Sequence, residues 1–230
     1  MNDQILDQLQ RQRWQAAQAS QGTSSDPIYT KALEVLSQIS PCECLLEYGA
    51  GQGRLIQRLQ KSGFAQKISG ADIMPRPDGL PAEIDWTEAD LNLPLALANA
   101  SFDVILSTEV IEHLENPRAT LREFFRLLRP SGHAIITTPN QESLRSLLSL
   151  ALTGHFVAFS DSCYPAHITA LLRKDFTRIC AEVGFSPPQF FYTDHGGIPK
   201  RPVISWQQVS FGLCKGRLFS DNMIALTQKL

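Results

Sequence analysis

The stretch Leu45-Leu46-Glu47-Tyr48-Gly49-Ala50-Gly51-Gln52-Gly53 decides the fold. Cys44 to Tyr48 is a short apolar run that reads as a buried strand. Three glycines at alternate positions then make a turn. Arg54 to Lys61 follows with Leu55, Ile56 and Leu59 at helical spacing, stopped near Gly63. Strand, glycine turn and helix in that order open a parallel α/β unit. Without side chains, the turn reverses tightly and a ligand can lie against its backbone. A dinucleotide fingerprint would place its third glycine one residue later, where Arg54 stands, so a pyrophosphate is disfavoured. Glu47, at the strand end, is placed to accept hydrogen bonds from a cationic or hydroxylated ligand.

Working outward, the same alternation recurs. Lys67–Asp72, Ile84–Ala89, Phe102–Leu106 and His133–Thr137 read as strands. Asn116-Pro117 caps a helix whose Leu121, Phe124, Phe125 and Leu128 share a face. Asn140 is expected to cap another, with Leu144, Leu147, Leu148 and Ala151 on one side and packed on the core. Phe176, Ile179, Cys180 and Val183 mark a further helix ended by Gly184. Gln189–Tyr192 and Met223–Thr227 close the chain as strands, and 194–222 between them has no clear period. Upstream, 1–21 is a Gln-rich helix or loosely attached arm. Gly22–Ser25 is a break, and Asp26 is the expected N-cap of a helix running through Tyr29, Leu33 and Leu36.

The expected fold is therefore α/β: a Rossmann-like, doubly wound, mostly parallel sheet with N-terminal helices and a partly irregular lid. In such sheets, ligands sit beyond the carboxyl ends of the strands where the strand order reverses. That points to 47–53, 72–75, 90, 107–113 and 139–167. Asp72, ending the second strand, suits the two hydroxyls of a ribose. Asp90 and Leu91, after the third, suit the amino edge and face of a purine.

The chain has 230 residues, 21 basic and 23 acidic, for a formal charge of −2. That fits one large domain and lacks the basic footprint of a nucleic-acid binder. No apolar run approaches the ~20 residues that cross a bilayer, so no stable membrane insertion is expected. Met1–Trp14 has no apolar core behind a basic start, unlike a secretory signal. The five cysteines form no Cys-x-x-Cys pair and read as reduced thiols of a cytoplasmic protein. Cys42 and Cys44, two apart, are expected on one side of a strand.

Taken together, LLEYGAGQG at 45–53, the strand ending at Asp72, EADL at 88–91, SFDVILSTEVIEHLENP at 101–117 and LREFFRLLRPSGHAIITTPN at 121–140 resemble a class I S-adenosylmethionine-dependent methyltransferase. The likeness is to the branch of ubiquinone-biosynthesis and other small-molecule methyltransferases. It is specific for fold and cofactor over 42–140 and looser beyond. It implies a helical extension over 1–40 and a methyltransferase domain over 41–230, with a substrate-covering insertion near 141–170. It implies S-adenosylmethionine as cofactor, S-adenosylhomocysteine as product and a small-molecule acceptor. Residue by residue, it places Glu47 at the methionine amino end and Gly49, Ala50, Gly51 and Gly53 along the cofactor. Asp72 takes the ribose, Ile73, Asp90 and Leu91 frame the adenine, and Thr108 and Glu109 flank the methionine portion. After Asp72 the chain departs from the pattern: Pro75, Pro77, Gly79 and Pro81 break the helix that commonly follows.

Methyl transfer to a hydroxyl needs in-line approach, exclusion of water and removal of a proton. A neutral imidazole can take that proton near pH 7. His167, in Tyr-Pro-Ala-His, and His113, after the fourth strand, are the candidate bases; His155 and His195 read as loop residues. The resemblance implies an oxygen acceptor: a phenol, quinone precursor, sugar or carboxylate. Glu109, Glu112 and His113 at i, i+3 and i+4 either hold a divalent cation or brace the turn. We read them as bracing and expect no metal. Residues 152–166 are the expected lid. Two other readings stay open: a non-catalytic protein that keeps the cofactor site, and a nucleotide-dependent oxidoreductase.

Overall fold

The computed structural model describes residues 11–15, 17–18 and 22–230. The expected arm over 1–21 therefore lies largely outside the described residues; within it, 11–15 and 17–18 are helical. The first complete helix, α1 (Asp26–Leu36), is capped by Ser25 rather than Asp26, which sits one position inside with Pro27 behind it. Its buried face is Ile28, Tyr29, Ala32, Val35 and Leu36.

The alternation then follows as β1 (Cys42–Tyr48), α2 (Arg54–Ser62), β2 (Ala65–Asp72), β3 (Asp85–Glu88), β4 (Phe102–Thr108), α3 (Pro117–Leu127) and β5 (Leu128–Pro139). The strand order is β3-β2-β1-β4-β5, all parallel. The chain winds outward from β1 one way, then returns and winds the other way from β4. The reversal falls between β1 and β4, so the crevice lies past Tyr48 and Thr108. Beyond α4 (Leu144–Thr153) and α5 (Arg173–Val183), β6 (Gln189–Tyr192) and a last strand, Asn222–Gln228, complete the seven-stranded sheet. That last strand runs antiparallel to both β5 and β6. Between β6 and it, a hairpin of β7 (Gly197–Ile198) and β8 (Arg201–Ser205) leads into α6 (Trp206–Val209). The last strand is therefore β9.

Strand geometry explains why single runs are apolar throughout. Successive side chains point to opposite faces, and helices cover both. Leu45, Leu106, Ile135 and Ile224 enter one core layer with Tyr29, Leu36, Leu55 and Leu59. Their neighbours Leu46, Ile105, Ile136 and Ala225 enter the other with Tyr48, Phe124 and Phe176. Truncating any of the fully buried leucines to alanine costs about 2–5 kcal/mol.

Some expectations shift. Cys42 packs in the first layer and Cys44 against the second, so the pair does not share a face. Strand β5 begins directly after α3 and absorbs Arg129–Gly132, with a register shift opposite Phe102 and Val104. Asn140 does not cap α4: its amide donates to the carbonyls of Arg217 and Ser220, and Ser143 accepts from Ser146 N–H instead. Nor is α4 packed on the core, since Ser146 is its only buried residue and Leu147, Leu148 and Leu152 are exposed.

Candidate active site

A cavity of about 500 Å³ opens at the carboxyl edge of the sheet where the strand order reverses. That is ample for a small-molecule ligand. Of the sequence-assigned residues, Glu47, Gly49, Ala50, Asp72, Ile73, Asp90, Leu91, Thr108, Glu109, His113 and His167 line it. Gly51 and Gly53 do not. Gly51 faces Gly22, whose carbonyl lies 2.1 Å from where a Cβ would sit, and Gly53 forms the left-handed N-cap of α2 at φ 69°.

The floor is built from β1 and β2. The carboxylate of Asp72 accepts from Gly51 N–H at 2.7 Å and Met74 N–H at 2.8 Å, tying the glycine turn to the end of β2. Burial pushes its pKa up, and these backbone donors oppose the rise. Glu47 is almost wholly buried, and the Ile56 N–H in the first turn of α2 favours its ionised form. Its Oε2 has no partner among the described residues. Burial, then the nearby Asp72 charge, push its pKa well up. A buried carboxylate oxygen left unpaired is costly, and a ligand cation would relieve it.

The N-terminal segment forms a wall that the sequence did not disclose. Gln12, Arg13, Ala17, Gly22–Ser25, Ile28 and Tyr29 all line the cavity. Arg13 pairs with Asp90 and, at 2.7 Å, with Glu115. Asp90 also accepts from Asn92 N–H at 3.0 Å. Tyr29 fixes the 22–25 turn by accepting from Ser24 N–H at 2.8 Å. The break at Gly22 was visible; its seat against Gly51 requires the fold.

The far wall follows β4. Glu109 adopts φ 55°, and its carboxylate accepts from Thr137 at 2.8 Å and from Asn222 of β9 at 2.7 Å. Burial pushes it up to about 7. Glu112, in the short turn Ile111–His113, is fully buried; Oε2 accepts from Thr138 at 3.2 Å, and Oε1 has no partner among the described residues. Its backbone carbonyl accepts from both Ile168 and Thr169 N–H at 2.9 Å. That main-chain clamp folds the segment between α4 and α5 back over the cavity and brings His167 to His113. Their ring centres are 4.7 Å apart, edge to face.

Both histidines have their tautomer set by the backbone. His113 Nδ1 lies 2.8 Å from the Ala166 carbonyl, and His167 Nδ1 lies 2.7 Å from that of Ala158. A carbonyl only accepts, so Nδ1 carries the proton in each and Nε2 is left with a lone pair. Burial and the neighbouring His167 lower His113 to about 4; burial also lowers His167. Both rings are neutral at pH 7. Glu112, His113 and His167 each offer a ligand atom within 4.8 Å of the others, a donor set suited to a borderline divalent cation. Glu109 is outside it, turned to Thr137 and Asn222.

The methyltransferase domain family matches the chain over residues 15–187. A ubiquinone biosynthesis O-methyltransferase of Parvibaculum lavamentivorans is 36% identical over 104 residues, 42% of this chain and 40% of that protein. A malonyl-(acyl-carrier protein) O-methyltransferase of Hahella chejuensis is 32% identical over 125 residues, 51% of this chain and 44% of that protein. The chain thus spans about half the length of the curated relatives it matches. In fold it is similar to a SAM-dependent methyltransferase of Archaeoglobus fulgidus, at TM-score 0.63 and 16% identity, over 91% of this chain and 96% of the other.

Proposed function

Because this chain belongs to the methyltransferase domain family, we propose that its cavity binds S-adenosylmethionine and transfers the methyl group to an oxygen of a small-molecule acceptor. One observation carries the reading. The cavity floor holds a buried carboxylate with an unpaired oxygen, Glu47, beside a glycine turn braced by a second carboxylate, Asp72. These acceptors fit an ammonium and a ribose, which favours this reading over a dinucleotide oxidoreductase.

The bound cofactor supplies a methyl already activated on a sulfonium sulfur. The protein's own tasks are to hold, align and dehydrate. Glu47 orients the amino end; Gly49 and Ala50 let the ligand lie on the backbone, with Gly51 and Gly53 shaping the turn from behind. Asp72 takes the ribose. Ile73, Asp90 and Leu91 enclose the adenine, and Thr108 and Glu109 border the methionine portion. Aligned approach alone contributes ~7–11 kcal/mol to such a reaction. His167 or His113 accepts the acceptor's hydroxyl proton at Nε2, while Nδ1 stays bonded to its carbonyl. The low basicity of His113 favours His167 as the base. Residues 141–170 cover the acceptor, and the domain over 41–230 follows an N-terminal extension over 1–40.

Calorimetry with S-adenosylhomocysteine tests the cofactor assignment. The product binds, NAD does not, and Asp72→Ala weakens binding by about 1–3 kcal/mol, the cost of losing charge-assisted hydrogen bonds. Absence of heat on well-folded protein refutes it. His167→Ala lowers turnover with a phenolic acceptor more than it lowers product affinity; unchanged turnover removes His167 as base. Binding without turnover across an acceptor panel would instead identify a non-catalytic cofactor-binding protein.

A further inference from the structure

The stretch between β6 and β9 is unlike the rest of the surface. Residues 195–220 contain four basic residues, Lys200, Arg201, Lys215 and Arg217, and no acidic one, in a chain that is net acidic. Among the described residues, Lys200, Arg201 and Lys215 have no acidic partner, and Arg217 has only a long contact of 3.8 Å to Glu142. Between these cations, large apolar side chains stand in solvent: Val203 at 93% exposure, Phe211 at 95% and Leu213 at 86%. Phe211 is held at φ 51°, and the stretch from 206 to 214 is a built structure. Gln207 ties it down by donating to the carbonyls of Cys214 and Phe219. These are fixed projections, not a loop whose apolar groups have somewhere to fold.

We propose that this stretch docks the protein on an anionic lipid bilayer surface, with Val203, Phe211 and Leu213 entering the interfacial region and the four cations meeting lipid phosphates. Protruding apolar tips flanked in sequence by Lys and Arg match a bilayer, which yields around them and concentrates negative charge. A protein partner fits less well, because the cores of protein interfaces are depleted in lysine. The neighbouring α4 exposes Leu148 and Leu152 and packs against the Arg217–Phe219 turn. Its own Arg145 is committed to Asp221 at 2.9 Å, so the charge for docking comes from the 200–217 stretch.

The position gives the docking a use. Tyr192 pairs with Met223 and Pro139 with Asn222, so the stretch leaves and re-enters the sheet at its carboxyl edge, the edge that holds the cavity. Asn222, where it re-enters, donates to Glu109 in the cavity wall. Docking would therefore set the cavity edge of the sheet towards the bilayer. The inference stands on surface geometry and charge, and does not depend on the identity of the cofactor or acceptor.

Flotation with phosphatidylcholine vesicles, with and without phosphatidylglycerol, is the test. The protein floats with the anionic vesicles and is released by high salt. Each cation near an anionic surface multiplies the partition about fivefold, so Lys200→Gln/Arg201→Gln/Lys215→Gln lowers it about a hundredfold. Val203→Ser/Phe211→Ser/Leu213→Ser lowers it tenfold or more, and thermal melting of both variants matches the parent. Because the salt release needs no variant, the proposal stays testable if either variant misfolds. It is overturned if the unmodified protein ignores anionic vesicles, floats equally with neutral ones or resists salt. Undiminished flotation of a folded variant, or capture by poly(U) RNA without flotation, overturns it as well.

Discussion

Replacing Gly49 with alanine probes the turn that floors the cavity. Gly49 has φ 85°, and a Cβ there would lie 2.2 Å from Val110 Cγ2, 3.1 Å from Cγ1 and 3.2 Å from Cβ. Two separable costs follow. The backbone conformation is disfavoured for an L side chain by about 1–2 kcal/mol. Overpacking against the buried Val110 adds about 1–3 kcal/mol. Gly49→Ala should therefore lose about 2–5 kcal/mol in urea unfolding. Val110→Ala removes both Cγ atoms and leaves the 3.2 Å approach to Cβ, which a small shift accommodates. The double variant should thus recover the overpacking share and keep the backbone share. A double-mutant cycle reads this as a favourable coupling of about 1–3 kcal/mol. Additive losses across the four proteins would refute the steric account.

Two further outcomes rest on the buried carboxylates. Glu47 is pushed up by burial and by Asp72, so a cationic ligand arriving at its free oxygen favours the ionised form and releases a proton. S-adenosylhomocysteine binding should tighten as pH rises through that titration and show a heat that differs between phosphate and Tris. Glu47→Gln should remove that difference, and an unchanged buffer dependence would count against Glu47. Glu109 is raised from 4.5 to about 7 in the folded chain. The unfolded chain loses its proton first, so the folded form binds more protons and stability falls as pH rises from about 4.5 through about 7. Glu109→Gln should flatten that fall, measured as urea midpoints across the range.

The parallel sheet and the glycine turn were legible because both are local patterns. Leu45-Leu46 and Ile105-Leu106 are apolar on both faces, as only a strand covered on both sides is, and the spacing from Gly49 to Gly53 is a turn before a helix. Glu47, Asp72 and Asp90 were legible from their places at strand ends. The wall made by Arg13 and the 22–25 turn was not, since it depends on a contact between Gly22 and Gly51 that no local pattern encodes. The stretch 194–222 was unreadable for a related reason. Its Val203, Phe211 and Leu213 face solvent, so they carry no period. Helix α4 misled in the opposite direction: Leu144, Leu147 and Leu148 have helical spacing, yet the helix lies outside the core and exposes Leu147 and Leu148. Periodicity records which residues share a face, not what that face meets.

The clamp at Glu112 has a further consequence. The covering segment is held largely through its own main chain: Ile168 and Thr169 N–H donate to the Glu112 carbonyl, and the Ala166 carbonyl accepts from His113 Nδ1. Tyr164, Pro165, Ala166 and Ile168 can therefore be exchanged while the attachment persists. An architecture of this kind can retune which molecules it accepts by substitution at those positions alone, leaving the scaffold's construction intact.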